Sequence, residues 1–161
     1  MFNKSANILY LFDFDGTLFG DSVWSGYFKN IISCLKKGPY IVPNSYDIRW
    51  CILSGRPKID KIFIKLMCNW HGLFPRQIIT APTFTYQFKT FEDSIKFKEE
   101  FLKDILNEKT SMTYTPIKIT KIFYIDNDQK VNSYLNERRE NYVYIAITTI
   151  DFLNHSFDQL L

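Results

Sequence analysis

The chain is short of the residues that build disulfide scaffolds and zinc sites. It has three cysteines, Cys34, Cys51 and Cys68, an odd number with no CxxC pair among them. Neither a disulfide framework nor a Cys-ligated metal is expected, and a reducing, cytoplasmic setting suits such usage. The two histidines, His71 and His155, stand at no spacing that pairs them with a further ligand and read as turn or surface residues. No apolar run approaches the ~20 residues that span a bilayer. The first run, Ile8 to Phe12, follows a single lysine and breaks off at Asp13, which fits neither a signal peptide nor an anchor, so no membrane partner is expected. Charge of one sign is scarce too: 20 Lys and Arg against 17 Asp and Glu leave a net +3. That balance permits an anionic partner without arguing for one. No GxxxxGK[ST] stretch occurs, which excludes a P-loop nucleotide site.

What is present is ample core material. Of 161 residues, 46% are apolar and 17% aromatic, which excludes disorder and suits one domain over residues 1–161. Five short runs rich in β-branched and aromatic residues read as buried strands: Ile8–Phe12, Trp50–Leu53, Gln77–Ala81, Ile122–Ile125 and Tyr142–Ile147. Between them the apolar spacing turns helical over Val23–Lys37, Ile59–Trp70, Ile95–Leu106 and Val131–Arg138, with Gly38-Pro39 and Gly72 as stops. This alternation predicts an α/β fold, a Rossmann-like parallel sheet of about five strands flanked by helices, with ligands at the carboxyl ends of the strands.

Chemistry-bearing residues gather at those ends. In "LFDFDGTLFG" the strand alternation sends Leu9, Leu11, Asp13 and Asp15 to one side, and Gly16 permits a sharp exit. Two carboxylates placed together tolerate each other when a cation lies between them, and paired hard oxygen ligands suit Mg²⁺. A helix cap or Asx turn is the plainer reading, but it needs only one Asp. "CILSGRP" ends the second strand with Ser54, Gly55 and Arg56, a hydroxyl, an amide and a cation suited to phosphate oxygens, or else an ordinary turn. "IKFKEEFL" offers Lys96 and Lys98, either of which also reads as a surface lysine; two apart on a helix, they cannot both face one crevice. "IFYIDND" closes the fourth strand with Asp126, Asn127 and Asp128, able to complete a metal shell or to cap the next helix.

In this order the four stretches resemble the motifs of the haloacid dehalogenase superfamily of aspartate-nucleophile phosphatases, and the likeness runs over almost the whole chain. "DFDGT" is similar to the first motif, "LSGR" to the second, "KFKEE" to the third and "YIDND" to the fourth. The resemblance implies an Mg²⁺-dependent phosphotransfer. Asp13 would be the nucleophile, Asp15 the general acid and base, and Lys98 the residue that neutralises the phosphoryl group. Gly16, Thr17, Ser54, Gly55 and Arg56 would bind substrate, and Asp13, Asp15 and Asp126 would hold the metal. "SGR", "KEEF" and "IDNDQKVNSYLNERRENYVYIAI" further resemble the phosphatase half of phage-type polynucleotide kinase-phosphatases, which act on nucleic-acid 3′ ends. Those relatives tend to carry an acidic pair at the fourth motif, where this chain has Asn127.

The expected partner is therefore a phosphorylated substrate, a DNA or RNA end or a nucleotide. A small-metabolite or phosphoprotein phosphatase, and a binding module that has lost turnover, remain as alternatives. Phe84, Tyr86 and Phe88 alternate with polar residues before the Lys98 helix, either as a buried strand extension or as a platform for bases. Trp24 reads as helix core, and Lys36-Lys37 and Arg138-Arg139 as solvated charge. The segments Leu18–Asn44 and Pro82–Ser94 are too short for a cap domain, so an open crevice is expected.

Overall fold

The computed structural model describes residues 7–20, 37–83, 88, 90–107, 118–139 and 144–154. The strands are β1 (Ile8–Phe12), β2 (Trp50–Leu53), β3 (Ile78–Ile79), β4 (Lys121–Ile125) and β5 (Tyr144–Ile147); the helices are α1 (Lys61–Trp70), α2 (Phe91–Leu106), α3 (Gln129–Arg138) and α4 (Thr149–Asn154). All pairings are parallel and the sheet order is β3-β2-β1-β4-β5. This is the expected α/β arrangement of a five-stranded parallel sheet flanked by helices.

β1 is apolar at every position because it is buried on both faces. Alternate residues serve different layers. Ile8, Tyr10 and Phe12 pack with Ile64, Met67 and Cys68 of α1 and Phe152 of α4. Leu9 and Leu11 pack with Ile95, Leu102 and Ile105 of α2 and with Val131 and Leu135 of α3. Each such fully buried side chain contributes roughly 1.5–3 kcal/mol. The two buried cysteines described, Cys51 and Cys68, are free, and burial pushes both thiols up to about 12, so they act as inert core.

Differences from the sequence reading lie at element ends. β3 is two residues rather than five, and a 3-10 turn at Lys58–Asp60 replaces the expected first helical residues of α1. α2 starts one turn earlier than its apolar stripe, because the Thr90 hydroxyl accepts from the Asp93 amide at 3.2 Å and caps it. α3 likewise starts early, capped by Asp128. The short helix α4 was not anticipated; only Thr149 and Phe152 of its six residues are buried, too few to write a periodic pattern. His71 sits in the turn that ends α1, against Phe19 at 5.5 Å, and Gly72 takes a positive φ of 69° there. Arg138 is not simply solvated: its guanidinium lies 3.6 Å over the Tyr134 ring. The expected helix Val23–Lys37, with Trp24 and Cys34, falls outside the described residues except at Lys37, as do Phe84, Tyr86 and His155. The segments judged too short for a cap also fall partly outside them. No helix among the described residues is long and apolar enough to cross a membrane.

The chain runs from β1 outward through β2 to β3, then returns to place β4 and β5 on the other side of β1. That reversal opens a crevice beyond the carboxyl ends of β1 and β4, the place where such sheets bind ligands. Phe12 is in register with Ile52 and with Ile125, so the residues that follow β1, β2 and β4 emerge at nearly one level.

Candidate active site

Three ladder bonds extend one residue past the strands: the amides of Asp13, Ser54 and Asp126 donate to the carbonyls of Ile125, Ile79 and Ile147, all at 2.9–3.0 Å. The sheet itself thereby fixes the backbones of three candidate site residues. Lys98 reaches them from α2. Its Nζ donates to Asp13 Oδ1 at 3.1 Å and to Asp126 Oδ2 at 3.3 Å, and the side chain is buried, 6% exposed. Lys96 is exposed, so the crevice takes Lys98 of the two. Tyr124, two residues before Asp126 on the same strand face, donates its hydroxyl to Asp126 Oδ2 at 2.7 Å.

The electrostatics follow from two buried carboxylates sharing one lysine. Burial pushes the Asp13 carboxyl up to about 8; Lys98 pulls it down, while Asp126 and Asp15 push it further up. Burial opposes the charge of Lys98, but Asp13 and Asp126 outweigh it and hold the ammonium above its ordinary range. Tyr124 is held well above its ordinary value by burial and by Asp126, so it stays a phenol and a donor.

Asp15 follows a different course. Arg56 grips it through two parallel bonds, Nε to Oδ2 at 2.7 Å and Nη2 to Oδ1 at 2.8 Å, and also donates from Nη1 to Asp60 Oδ2 at 3.2 Å. Burial raises the Asp15 carboxyl and Arg56 lowers it, with a net rise. The guanidinium expected to meet phosphate is thus engaged by two carboxylates. Ser54, also expected at phosphate, is buried, and its hydroxyl accepts from the Arg56 amide at 3.2 Å, shaping the turn. Gly55 does line the crevice. A Cβ there would come within 2.8 Å of Ser94 Oγ, so glycine lets the loop lie against α2.

Thr17 is fully buried and accepts from the Asn127 amide at 3.1 Å, which makes it a brace between the loops after β1 and β4. Asn127 completes that brace. Its Nδ2 donates to the Gly16 carbonyl, and its Oδ1 accepts from the Thr149 amide at 3.1 Å. Gly16 has a φ of 72°, a conformation that favours glycine. A side-chain amide offers both the donor and the acceptor that this brace uses, and an ionised carboxylate does not. Asn127→Asp should therefore set a carboxylate against a carbonyl and lose about 1–3 kcal/mol, read as a lower urea midpoint. An unchanged midpoint would dismiss the brace. Asp128 accepts from the Lys130 amide at 2.9 Å and caps α3.

Two adjoining cavities, of about 320 and 430 Å³, meet over Asp13, Asp15, Phe91, Ser94 and Lys98. The first continues over Gly55, Arg56, Phe88 and Thr90, the second over Gly16, Asp126, Asn127, Asp128 and Val131. Of the expected site residues, Asp13, Asp15, Gly16, Gly55, Arg56, Lys98 and Asp126 share this crevice, while Thr17 and Ser54 stand behind it as supports. Sequence reasoning missed Ser94 and Phe91. Ser94 lies four residues before Lys98, on the same helix face, so that spacing was the signal for it. Among the described residues, no group of three or more His, Cys, Asp or Glu side chains is gathered as a metal cage. Comparison of the chain with family models, with curated proteins and with solved structures finds no match.

Proposed function

We propose that this chain is a phosphomonoester hydrolase of the haloacid dehalogenase type, acting through an aspartyl-phosphate on nucleic-acid 3′ ends or nucleotides. The observation that carries the reading is Lys98 bridging Asp13 and Asp126 in a crevice that Asp15 also lines. These groups come from three separate parts of the chain, 85 and 28 residues from the lysine. Lys98 faces the junction from α2, so a phosphoryl group over Asp13 would meet its ammonium once a proton or cation offsets the second carboxylate.

In the first step an Asp13 oxygen forms a bond to phosphorus as the ester P–O bond breaks. The electron pair leaves on the departing oxygen, to which Asp15 gives its proton. Burial raises the Asp15 carboxyl and Arg56, bonded to both its oxygens, lowers it. In the second step Asp15 takes a proton from water, the water oxygen attacks phosphorus, and the Asp13 carboxylate is restored as phosphate leaves. Lys98 balances charge on the phosphoryl oxygens throughout. Arg56 keeps Asp15 aimed into the crevice.

Mg²⁺ fits the donor set. Asp13 and Asp126 line one cavity and share a single lysine, so once Asp13 is ionised the cluster is short of one positive charge. Two carboxylates with water and substrate oxygens suffice for this ion. Asp13 and Asp126 would hold it, with Asp15 beside them in the same cavity. Once bound, the ion would supply charge neutralisation at the phosphoryl oxygens.

The test is phosphate release from 3′-phosphorylated DNA and RNA oligomers, mononucleotides, sugar phosphates and phosphopeptides, with Mg²⁺ and with chelator. We expect release from the oligomers, lost on chelation. Preference for a sugar phosphate or a phosphopeptide would move the function to those substrates, and no release from any of them would overturn the hydrolase reading.

A further inference from the structure

The two cavities have opposite characters, and the difference bears on which way a substrate lies. One continues from the junction over Asp126, Asn127 and Asp128, with the Gly16 backbone and Val131. The other continues over Gly55, Arg56, Thr90 and the aromatic ring of Phe88, with Phe91 standing at the junction. Phe88 is braced against Phe97, ring centres 5.4 Å apart. Phe91 is the first residue of α2 and is 44% exposed, a large apolar ring left open to solvent beside a charged crevice.

Resting on the hydrolase reading above, we propose that Phe91, with Phe88 behind it, sets substrate specificity by stacking on a flat ring carried by the leaving alcohol. The substrate class is then a phosphomonoester whose alcohol bears a nucleobase, its phosphate over Asp13 and Lys98 and its base in the aromatic cavity. Two physical effects support this orientation. A nucleotide chain carries further negative charge, and the Asp126–Asp128 side lines its cavity with two carboxylates, whereas the other side adds no carboxylate to its lining beyond those at the junction. A base transferred from water onto an exposed ring gains stacking energy whatever its identity, so the site would select for a base without reading sequence. Phe91 is not required by the core: nearly half its surface is open, and Ile95, Leu102 and Ile105 anchor α2.

The experiment compares wild type, Phe91→Ala and Phe91→Trp on three substrates: a 3′-phosphorylated oligonucleotide, the same oligonucleotide with an abasic 3′-terminal sugar, and glycerol phosphate as a ring-free control on which all three side chains should act alike. The proposal expects kcat/KM of Phe91→Ala to fall about ten- to a hundredfold on the first substrate, with Trp restoring it and the abasic oligomer insensitive to all three side chains. A second readout needs no turnover. An oligomer ending in 2-aminopurine 3′-phosphate should lose fluorescence on binding wild type and Phe91→Trp, and lose less on binding Phe91→Ala. Equal losses on the base-bearing and abasic oligomers, or quenching unchanged in Phe91→Ala, would overturn the stacking role while leaving the hydrolase reading intact. Failure of wild type to release phosphate from any of the three substrates would overturn both.

Discussion

Asp13→Asn is expected to lower phosphate release by about 10⁴-fold or more, the scale on which an enzyme loses its covalent nucleophile, and at the same time to stabilise the metal-free protein. The two effects share one cause. Asp13 is buried at the junction of two cavities with a second carboxylate on the same lysine, and its pKa stands at about 8 instead of 3.8. Between those values the folded chain holds a proton that the unfolded chain has released. Stability must then fall as pH rises through that window, reaching its floor near pH 8. Asparagine keeps the shape, has no proton to lose and leaves Lys98 paired with Asp126. We therefore expect the melting temperature of metal-free wild type to decline between pH 5 and 8 more steeply than that of Asp13→Asn. Mg²⁺ should flatten the wild-type decline by balancing the ionised carboxylate. Parent-like turnover by Asp13→Asn would sink the covalent mechanism, and parallel pH profiles would dismiss the electrostatic account.

Lys98→Ala is the second large effect, and it combines lost activity with lost stability. The ammonium holds Asp13 and Asp126 together at 3.1 and 3.3 Å. Removing one member of a buried ion group strands the others, at a cost of about 3–5 kcal/mol. Asp13 keeps its proton up to about pH 8 with Lys98 present and to a higher pH without it, so the penalty should stay level from about pH 5 to 7 and grow as pH rises past 8. On the proposed mechanism activity should fall at every pH, because Lys98 is the described cation that bridges Asp13 and Asp126. Lys96→Ala, at an exposed position, should change stability by no more than about 0.5 kcal/mol and leave phosphate release at the parent level. Chemical denaturation and phosphate release on the paired variants decide the matter, since equal losses would remove Lys98 from its assigned role.

Local chemistry explains which parts of the fold were legible. Strands buried on both faces read as unbroken apolar runs, so β1 and β2 were found to the residue. β3 was overestimated because "QIITA" has the composition of a longer strand, whereas pairing is registered only at Ile78 and Ile79. The starts of α2 and α3 were missed because their first turns carry polar and exposed residues. Caps at Thr90 and Asp128 define those turns, and apolar periodicity does not register a cap.

Residue order alone carries the alternation of strands and helices and the two aspartates after the first run. It also carries the order in which the lysine and the second acidic cluster follow, because each depends on residue type and near-neighbour spacing. Only the tertiary structure decided how those groups share charge. Asp13 and Asp126 are 113 residues apart, and a lysine between them exists only once the parallel sheet sets β1 beside β4 and α2 crosses the end. Arg56 meets Asp15 across 41 residues, and Asn127 reaches Gly16 across 111. Bonds over such distances depend on which loops the sheet order brings together, and no local pattern in the chain records that order.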